Sequence, residues 1–521
     1  MSRPMSAKLP LDANAMAMAA LAALRAPVLT GALAALRAPV LTGALAALLS
    51  ACSLAPEYEA PVMPEVSGYK ENAGDWKPAQ PADAAPRGPW WEAFGDAQLN
   101  ALEAQLASSS QDLRAAFARY EQARALAGQT RSNLFPTVDA NAGVTRARVS
   151  GNAPGNGGDP AIGNDFLATL RLSWEIDLFG RLRNATAAAN RRVEASAGEL
   201  AALDLSLQTQ LASTYFLLRG SDSTIALLED SVHAFERALE LTRNRYSGGI
   251  SAEADVAQAE TQVQSTYAQL AAARLQRAQY EHAIAVLVGQ SASTFTLAPG
   301  AFTVEPPAVD IGLPSSLIER RPDIASAERA VAAANAEIGV ARAAWFPVFS
   351  FGAGGGYEAT RSSDWFDAPS RLWSIGPSLA LPLIDGGARA SLNQRTRAAY
   401  DEAVANYRKA VLVAYQEVED NLAALNHLAE QARRSDAAFE AASRSLFHAN
   451  KRYAAGVADY LEVTSTQTTT LNVQRAALDA RVNRVVAGID LIRATGGGWT
   501  REQLGKAPTE QASPPSPVVA P

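Results

Sequence analysis

The feature that most constrains this chain is a run of apolar residues at steps of seven: Val404, Val411, Val418, Leu425, Ala432, Phe439, Leu446 and Tyr453. A period of 3.5 held for that length specifies supercoiled helices rather than the interior of a globule. The seam occurs twice. Arg245-Tyr246-Ser247-Gly248-Gly249-Ile250 resembles Arg452-Tyr453-Ala454-Ala455-Gly456-Val457 at an offset of 452 − 245 = 207, which also carries Gly180 onto Gly387 and Gly289 onto Gly496. Moved back by that offset, the seam reads Ala197, Asp204, Leu211, Leu218, Ile225, Val232, Leu239 and Tyr246, and only Asp204 breaks it. Leu134-Phe135-Pro136 matches Trp345-Phe346-Pro347 at 345 − 134 = 211, the difference falling in connecting loops. The chain therefore reads as one unit in two copies. An unbroken helix from Arg181 to Tyr246 would be roughly 100 Å long at ~1.5 Å per residue, too long for a compact domain. Gly220 is expected to bend it. Gly248, Gly249 and Gly456 predict tight turns into return helices, because such reversals often need positive φ.

Between the helical stretches the period changes to two. Phe166, Ala168, Leu170, Leu172, Trp174 and Ile176 alternate with Leu167, Thr169, Arg171, Ser173, Glu175 and Asp177. Val138, Ala140, Ala142 and Val144 likewise oppose Asp139, Asn141 and Thr145. These are two-faced strands, and about 10 to 12 residues suffice for a tilted strand to cross a bilayer. Four such strands cannot close a barrel in lipid, since known barrels start at eight, but three chains would supply twelve. Two soluble hairpins packed on a protein core are the alternative.

Composition removes several function classes. With 46 basic and 53 acidic residues the formal charge is −7, giving no electrostatic reason for a nucleic-acid partner. His233, His282, His427, His448 and the single cysteine are too widely spaced for a metal or haem site, and no cofactor is expected. Gly352, Gly354, Gly355 and Gly356 lead into Tyr357 and Glu358 without a helix signal, so they read as a glycine-rich strand rather than a phosphate cradle. No nucleophile elbow or clustered acid pair suggests catalysis.

The cysteine is informative by position. Arg37 precedes an apolar stretch from Pro39 to Leu49, which runs into Leu49-Ser50-Ala51-Cys52, the layout of a secretion signal. The segment resembles a bacterial lipobox, which implies cleavage before a lipidated Cys52, and Ser53 in that resemblance permits transfer to the outer membrane. Residues 23–34 recur letter for letter as 35–46, so the leader is long, and Met16 and Met18 offer later starts.

With these motifs in place, the chain resembles the outer membrane factor family, in its NodT/OprM-like lipoprotein branch. The likeness rests on Pro89-Trp90-Trp91-Glu92-Ala93-Phe94-Gly95-Asp96-Ala97-Gln98-Leu99, on Glu319-Arg320-Arg321-Pro322-Asp323-Ile324, and on Ile338-Gly339-Val340-Ala341-Arg342 with Phe346-Pro347. Trp174 to Gly180 and Leu381 to Gly387 resemble its two strand-to-helix junctions. The resemblance implies a mainly α fold with a transmembrane β part: coiled-coil helical hairpins plus β-hairpins, forming a trimeric 12-stranded barrel continued by a periplasmic helical barrel. It implies a passive exit duct for drugs or other small solutes. The partners would be a periplasmic adaptor and an inner-membrane pump of the resistance-nodulation-division class. A type I secretion or a metal or solvent export channel is the alternative. A periplasmic adaptor would not need four membrane-length strands, and an envelope-remodelling enzyme would need chemistry that is not evident.

The expected division is a lipoprotein signal peptide over 1–51, a lipidated extended segment over 52–96, a first repeat over 97–290, an equatorial linker over 291–313, a second repeat over 314–499 and a disordered tail over 500–521. Helices are predicted over about 97–134, 181–246, 251–289, 323–344, 388–453 and 458–494, and strands over about 137–149, 166–178, 348–358 and 372–384. Pro322 and Asp323 suit the first turn of their helix. The tips at Gly248, Gly249 and Gly456 are expected to meet the adaptor. By the resemblance, Asp255, Tyr453 and Arg481 match a polar latch that closes the pore, and Glu462 matches a pore-lining acid, while Ser465 departs from a second one. The plain reading is a solvated Arg481 and a Tyr453 that continues the seam.

Overall fold

The computed structural model describes residues 54–63, 69–71, 89–150, 152, 161–305 and 320–497. The expected signal peptide, Cys52, segment 306–319 and the tail 500–521 lie outside the described residues. A 3-10 turn, Trp90–Phe94, precedes α1 (Ala97–Ser109), α2 (Gln111–Ser132), β1 (Thr137–Val149), β2 (Ala161–Ile176), α3 (Arg181–Ser247) and α4 (Glu253–Leu287). The second half runs α5 (Pro322–Ala343), β3 (Val348–Ala359), β4 (Arg371–Ala380), α6 (Ala388–Ala454) and α7 (Tyr460–Ala494). Lengths repeat between halves: α2 and α5 have 22 residues each, α3 and α6 have 67, and α4 and α7 have 35.

Three boundaries differ from expectation for local reasons. The helix expected over 97–134 is two helices, because Ser110 leaves helical geometry (φ −58°, ψ 126°) and caps α2 with its hydroxyl. The second strand starts at Ala161, since its ladder with β1 extends to Val149↔Ala161, past Gly163 and Asn164, which hide the alternation. The fourth ends at Ala380. Pro382 lacks a ladder donor, and the Asp385 carboxylate accepts from Gly387 N (3.0 Å) and Arg389 N (3.1 Å), turning the chain into α6.

Gly220 does not interrupt α3, which is continuous through it. A Cβ there would stand 2.7 Å from Val482 Cγ2, so glycine permits a close approach of α7. The heptad positions Val411, Val418, Leu425, Ala432 and Tyr453 are buried, as are Leu211, Leu218, Val232 and Leu239. One core joins α1 and the middle of α3 to α4 and α7 around Tyr215, Phe216 and Ile284, with Trp90, Trp91 and Phe94 packed against it. A second joins α5, α6 and α7 around Ile324, Val331 and Val418. A third runs down the hairpins through Phe235, Val263, Tyr453 and Tyr460. Helix α5 packs closely against both α3 and α6, whereas among the described elements its counterpart α2 packs closely against α3 alone.

Candidate functional site

The four strands form one antiparallel sheet in the order β1-β2-β3-β4, so β1 and β4 each have an edge without a partner among the described residues. Residues paired across neighbouring strands share a face. One face carries the rows Val138, Leu172, Ala353, Ile375 and Ala140, Leu170, Gly355, Trp373. The other carries Asp139, Arg171, Gly354, Ser374 and Thr137, Ser173, Gly352, Gly376. The glycines of β3 leave its polar face nearly bare, and at Gly356 a Cβ would stand 2.1 Å from the Ala168 carbonyl oxygen. Aromatic rings bound the apolar face at both ends. Nearest the helices are Phe349, Phe351 and Trp174, with Phe179 stacked on Phe346 at 4.8 Å. Nearest the loops, Trp365 lies 5.4 Å from Phe166 and 5.1 Å from Phe366, which meets Tyr357 at 5.4 Å. From the Phe349 row to the Phe166 row is ten residues. At ~3.3 Å per residue and a tilt of about 40° that is roughly 25 Å, the height of the apolar band on an outer-membrane barrel.

The described segment beginning at Leu54 lies along α5. Arg342 donates to the Leu54 carbonyl (3.2 Å), Asn335 Nδ2 to the Pro56 carbonyl (2.9 Å), and Tyr58 Oη to the Glu328 carboxylate (2.5 Å). At Gly339 a Cβ would meet Ala55 Cβ at 2.7 Å, so glycine lets the strap lie flat on the helix. The start of α5 is fixed by Arg321, which is buried and donates to Asp323 (3.0 and 2.7 Å), Glu417 (2.6 Å) and the Ala494 carbonyl (3.1 Å). Pro322 occupies the first turn, and Asp323 spends its carboxylate on Arg321.

At the far end each hairpin turns in the same way. Ile250 N reaches Arg245 O (2.8 Å) and Gly249 N reaches Tyr246 O (2.9 Å); Val457 N reaches Arg452 O and Gly456 N reaches Tyr453 O, both at 3.0 Å. These are Schellman closures with a left-handed glycine, Gly249 at φ 73° and Gly456 at φ 75°. Gly248 has φ −82°, and alanine holds the matching position 455. The tips are tied by Arg245, which donates to the carbonyls of Tyr453 (2.8 Å) and Ala454 (2.9 Å) and lies over the Tyr453 ring. The sequence shows Arg245 and its counterpart Arg452 only as matching positions of the repeat. The repeat aligns the two arginines without revealing that Arg452 instead pairs with Glu462 at 3.0 Å.

Of the latch residues, two sit at the tips and one does not. Asp255 accepts from Ser251 Oγ (2.7 Å) and Ala252 N (3.2 Å) and so caps α4. Tyr453 Oη meets Thr242 Oγ1 at 3.3 Å and its ring lies 5.4 Å from Tyr460. Arg481 pairs with Asp436, and 21 residues of α7 separate it from Tyr460, roughly 30 Å of helix. The chain itself does not bring the three together.

The break in the first seam has a structural partner. Glu103 of α1 is buried beside Asp204, and neither of its carboxylate oxygens has a hydrogen-bond partner among the described residues. Burial, with Asp204 as a lesser cause, pushes the Glu103 carboxyl up to about 9, and burial raises Asp204 to about 6.

The profile described as outer membrane efflux protein matches residues 102–290 and 313–497. The chain is 31% identical over 480 residues to the antibiotic efflux pump outer membrane protein ArpC of Pseudomonas putida, covering 90% of this chain and 97% of that one. It is 32% identical over 467 residues to the pyoverdine export outer membrane protein OpmQ of Pseudomonas aeruginosa, covering 88% and 98%. Its fold is similar to the crystal structure of the Campylobacter jejuni CmeC outer membrane channel, with a TM-score of 0.81 at 27% identity, covering 86% and 96%.

Proposed function

Because this chain belongs to the outer membrane efflux protein family and is the outer-membrane channel component of an efflux system, we propose that three copies close into its working form. The observation that carries this reading is the pair of bare edges on a two-faced sheet. An edge in lipid leaves backbone donors and acceptors unsatisfied at several kcal/mol each, and four strands are half the smallest known barrel. Edge β4 against the next copy's β1 removes every edge at twelve strands. The helices favour the same closure: α2 lacks the second close neighbour that α5 has, and Phe117 and Leu126 on α2 are exposed, as is Leu412 on α6.

In that ring the apolar face meets lipid and the polar face lines the exit duct. The duct is passive, and energy comes from an inner-membrane pump of the resistance-nodulation-division class. A periplasmic adaptor delivers cargo at the tips around Gly248, Gly249 and Gly456. Tyr453, Asp255 and Glu462 lie at the level where the pore narrows; Arg481 contributes higher up, by exchanging Asp436 for a carboxylate of the neighbouring copy. Cys52 carries acyl chains. It stands two residues before Leu54 in the sequence. Two or more chains anchor stably where one is marginal.

Detergent-extracted protein should have a protein mass near three chains, migrate as a heat-modifiable oligomer and conduct in planar bilayers. A well-folded monomer that conducts would overturn the reading. Mass spectrometry should find mature Cys52 diacylated and N-acylated; an unmodified Cys52 would remove the anchor and leave the barrel.

A further inference from the structure

The apolar face of the sheet changes character at its loop end. Beyond the row of Val144 and Phe166, the same face of β1 carries Arg146 and Arg148, opposite Asn164 and Ile162 of β2. Arg371 opens β4 on that face, opposite Tyr357. All three are exposed, and among the described residues none of their side chains takes part in a hydrogen bond or ion pair. The four strands place no carboxylate on this face: Asp139, Asp165, Glu175 and Glu358 all stand on the other.

Unpaired arginines facing lipid are costly at mid-membrane and nearly free at the interface, so the place of Arg146 and Arg148 beyond the Phe166 row, and of Arg371 level with the belt residue Tyr357, assigns them to the interface with the headgroup layer. The loop end is the end opposite the helices. If the helices are periplasmic, as the barrel reading above requires, these arginines face the outer leaflet. A guanidinium fork matches phosphate oxygens bidentately, and no carboxylate on the face competes. We propose that Arg146, Arg148 and Arg371 form a cationic rim that docks the phosphorylated headgroups of outer-leaflet lipid, of the lipid A type, around the barrel. Carboxylates stand on the inner face alone, together with Arg171, so the strand charges of the outer face are all cationic, which gives the rim its selectivity for an anionic lipid.

The test uses the full chain as detergent-extracted oligomer, with bis-phosphorylated lipid A as the probe in native mass spectrometry and titration. Each arginine near an anionic surface contributes about fivefold in affinity, so R146Q/R148Q/R371Q should bind lipid A on the order of 100-fold more weakly. The parent protein should bind dephosphorylated lipid A as weakly as the triple variant binds the intact lipid. R171Q, on the opposite face, should bind like the parent. Equal binding by the parent and triple variant, with the oligomer still heat-modifiable and conducting, would overturn the rim and leave the barrel standing. Loss of binding in R171Q but not in the triple variant would reverse the two faces and overturn the barrel orientation itself. Displacement of lipid A by millimolar inorganic phosphate would make the site one for a free anion and overturn lipid docking.

Discussion

Arg245 lies over the ring of Tyr453 at 4.5 Å from its centroid and donates to the same residue's carbonyl oxygen at 2.8 Å. One side chain of the first repeat thus caps the long helix of the second, adding a donor to the Tyr453 carbonyl, which also accepts from Gly456 N, and supplying one to that of Ala454. Arg245→Ala should loosen the two tips from each other by about 1–2 kcal/mol, the discount reflecting partial exposure. Hydrogen exchange should quicken at residues 450–458 without change in α5, and cells should become more sensitive to vancomycin. Arg245→Lys should not restore either, since an ammonium cannot make the paired contact. Unaltered exchange at the tips would remove Arg245 as their tie.

The tip glycines separate into two kinds. Gly249 and Gly456 have left-handed backbones that cost a side-chain-bearing residue roughly 1–2 kcal/mol, and a β-branched one more, whereas Gly248 does not. Gly249→Val or Gly456→Val should abolish efflux and adaptor crosslinking while oligomers remain in the membrane. Gly248→Ala should be close to the parent in both. Equal loss at all three positions would mean that bulk, rather than backbone geometry, decides.

Arg321 is held by two carboxylates and a carbonyl in a buried site. Arg321→Ala should destabilise by about 3–5 kcal/mol, because Asp323 and Glu417 lose their shared cation. Glu417 keeps Arg493 at 3.3 Å, which places the loss toward the lower end. The measurement is the apparent unfolding temperature and the yield of heat-modifiable oligomer; an unchanged temperature would show the network to be dispensable.

The Glu103 carboxyl, raised from 4.5 to about 9, gives a pH dependence with a definite sign. Between these values the folded chain holds a proton that the unfolded chain releases, so stability falls as pH rises from about 4.5 toward 9. Asp204 adds the same sense between 3.8 and about 6. Glu103→Gln should therefore stabilise by about 1–3 kcal/mol at pH 8 and by little at pH 4. Unfolding temperatures of the two proteins across pH 4–9 provide the check, and parallel curves would refute a buried, neutral Glu103.

Much of this architecture is written in periodicity. Steps of seven give supercoiled helices, steps of two give two-faced strands, and an offset repeated through Gly180/Gly387 and Gly249/Gly456 gives the duplication; each is local, set by how often a side chain returns to the same side of its own backbone. What only the tertiary structure decided is where nonlocal partners meet. Gly220 is a lone glycine in the sequence, and the structure makes it a seat for Val482; Asp204 reads as a flaw in a seam and is the neighbour of buried Glu103. Arg245 and Arg452 are equivalent by repeat, yet one caps the other hairpin and one pairs with Glu462. Arg481 belongs with Asp436 rather than with the tip, because a rise of ~1.5 Å per residue sets the height of every group along α7. A repeat fixes the backbone of both copies, but a side chain's partner depends on which helix faces it, and that is a property of the packed bundle.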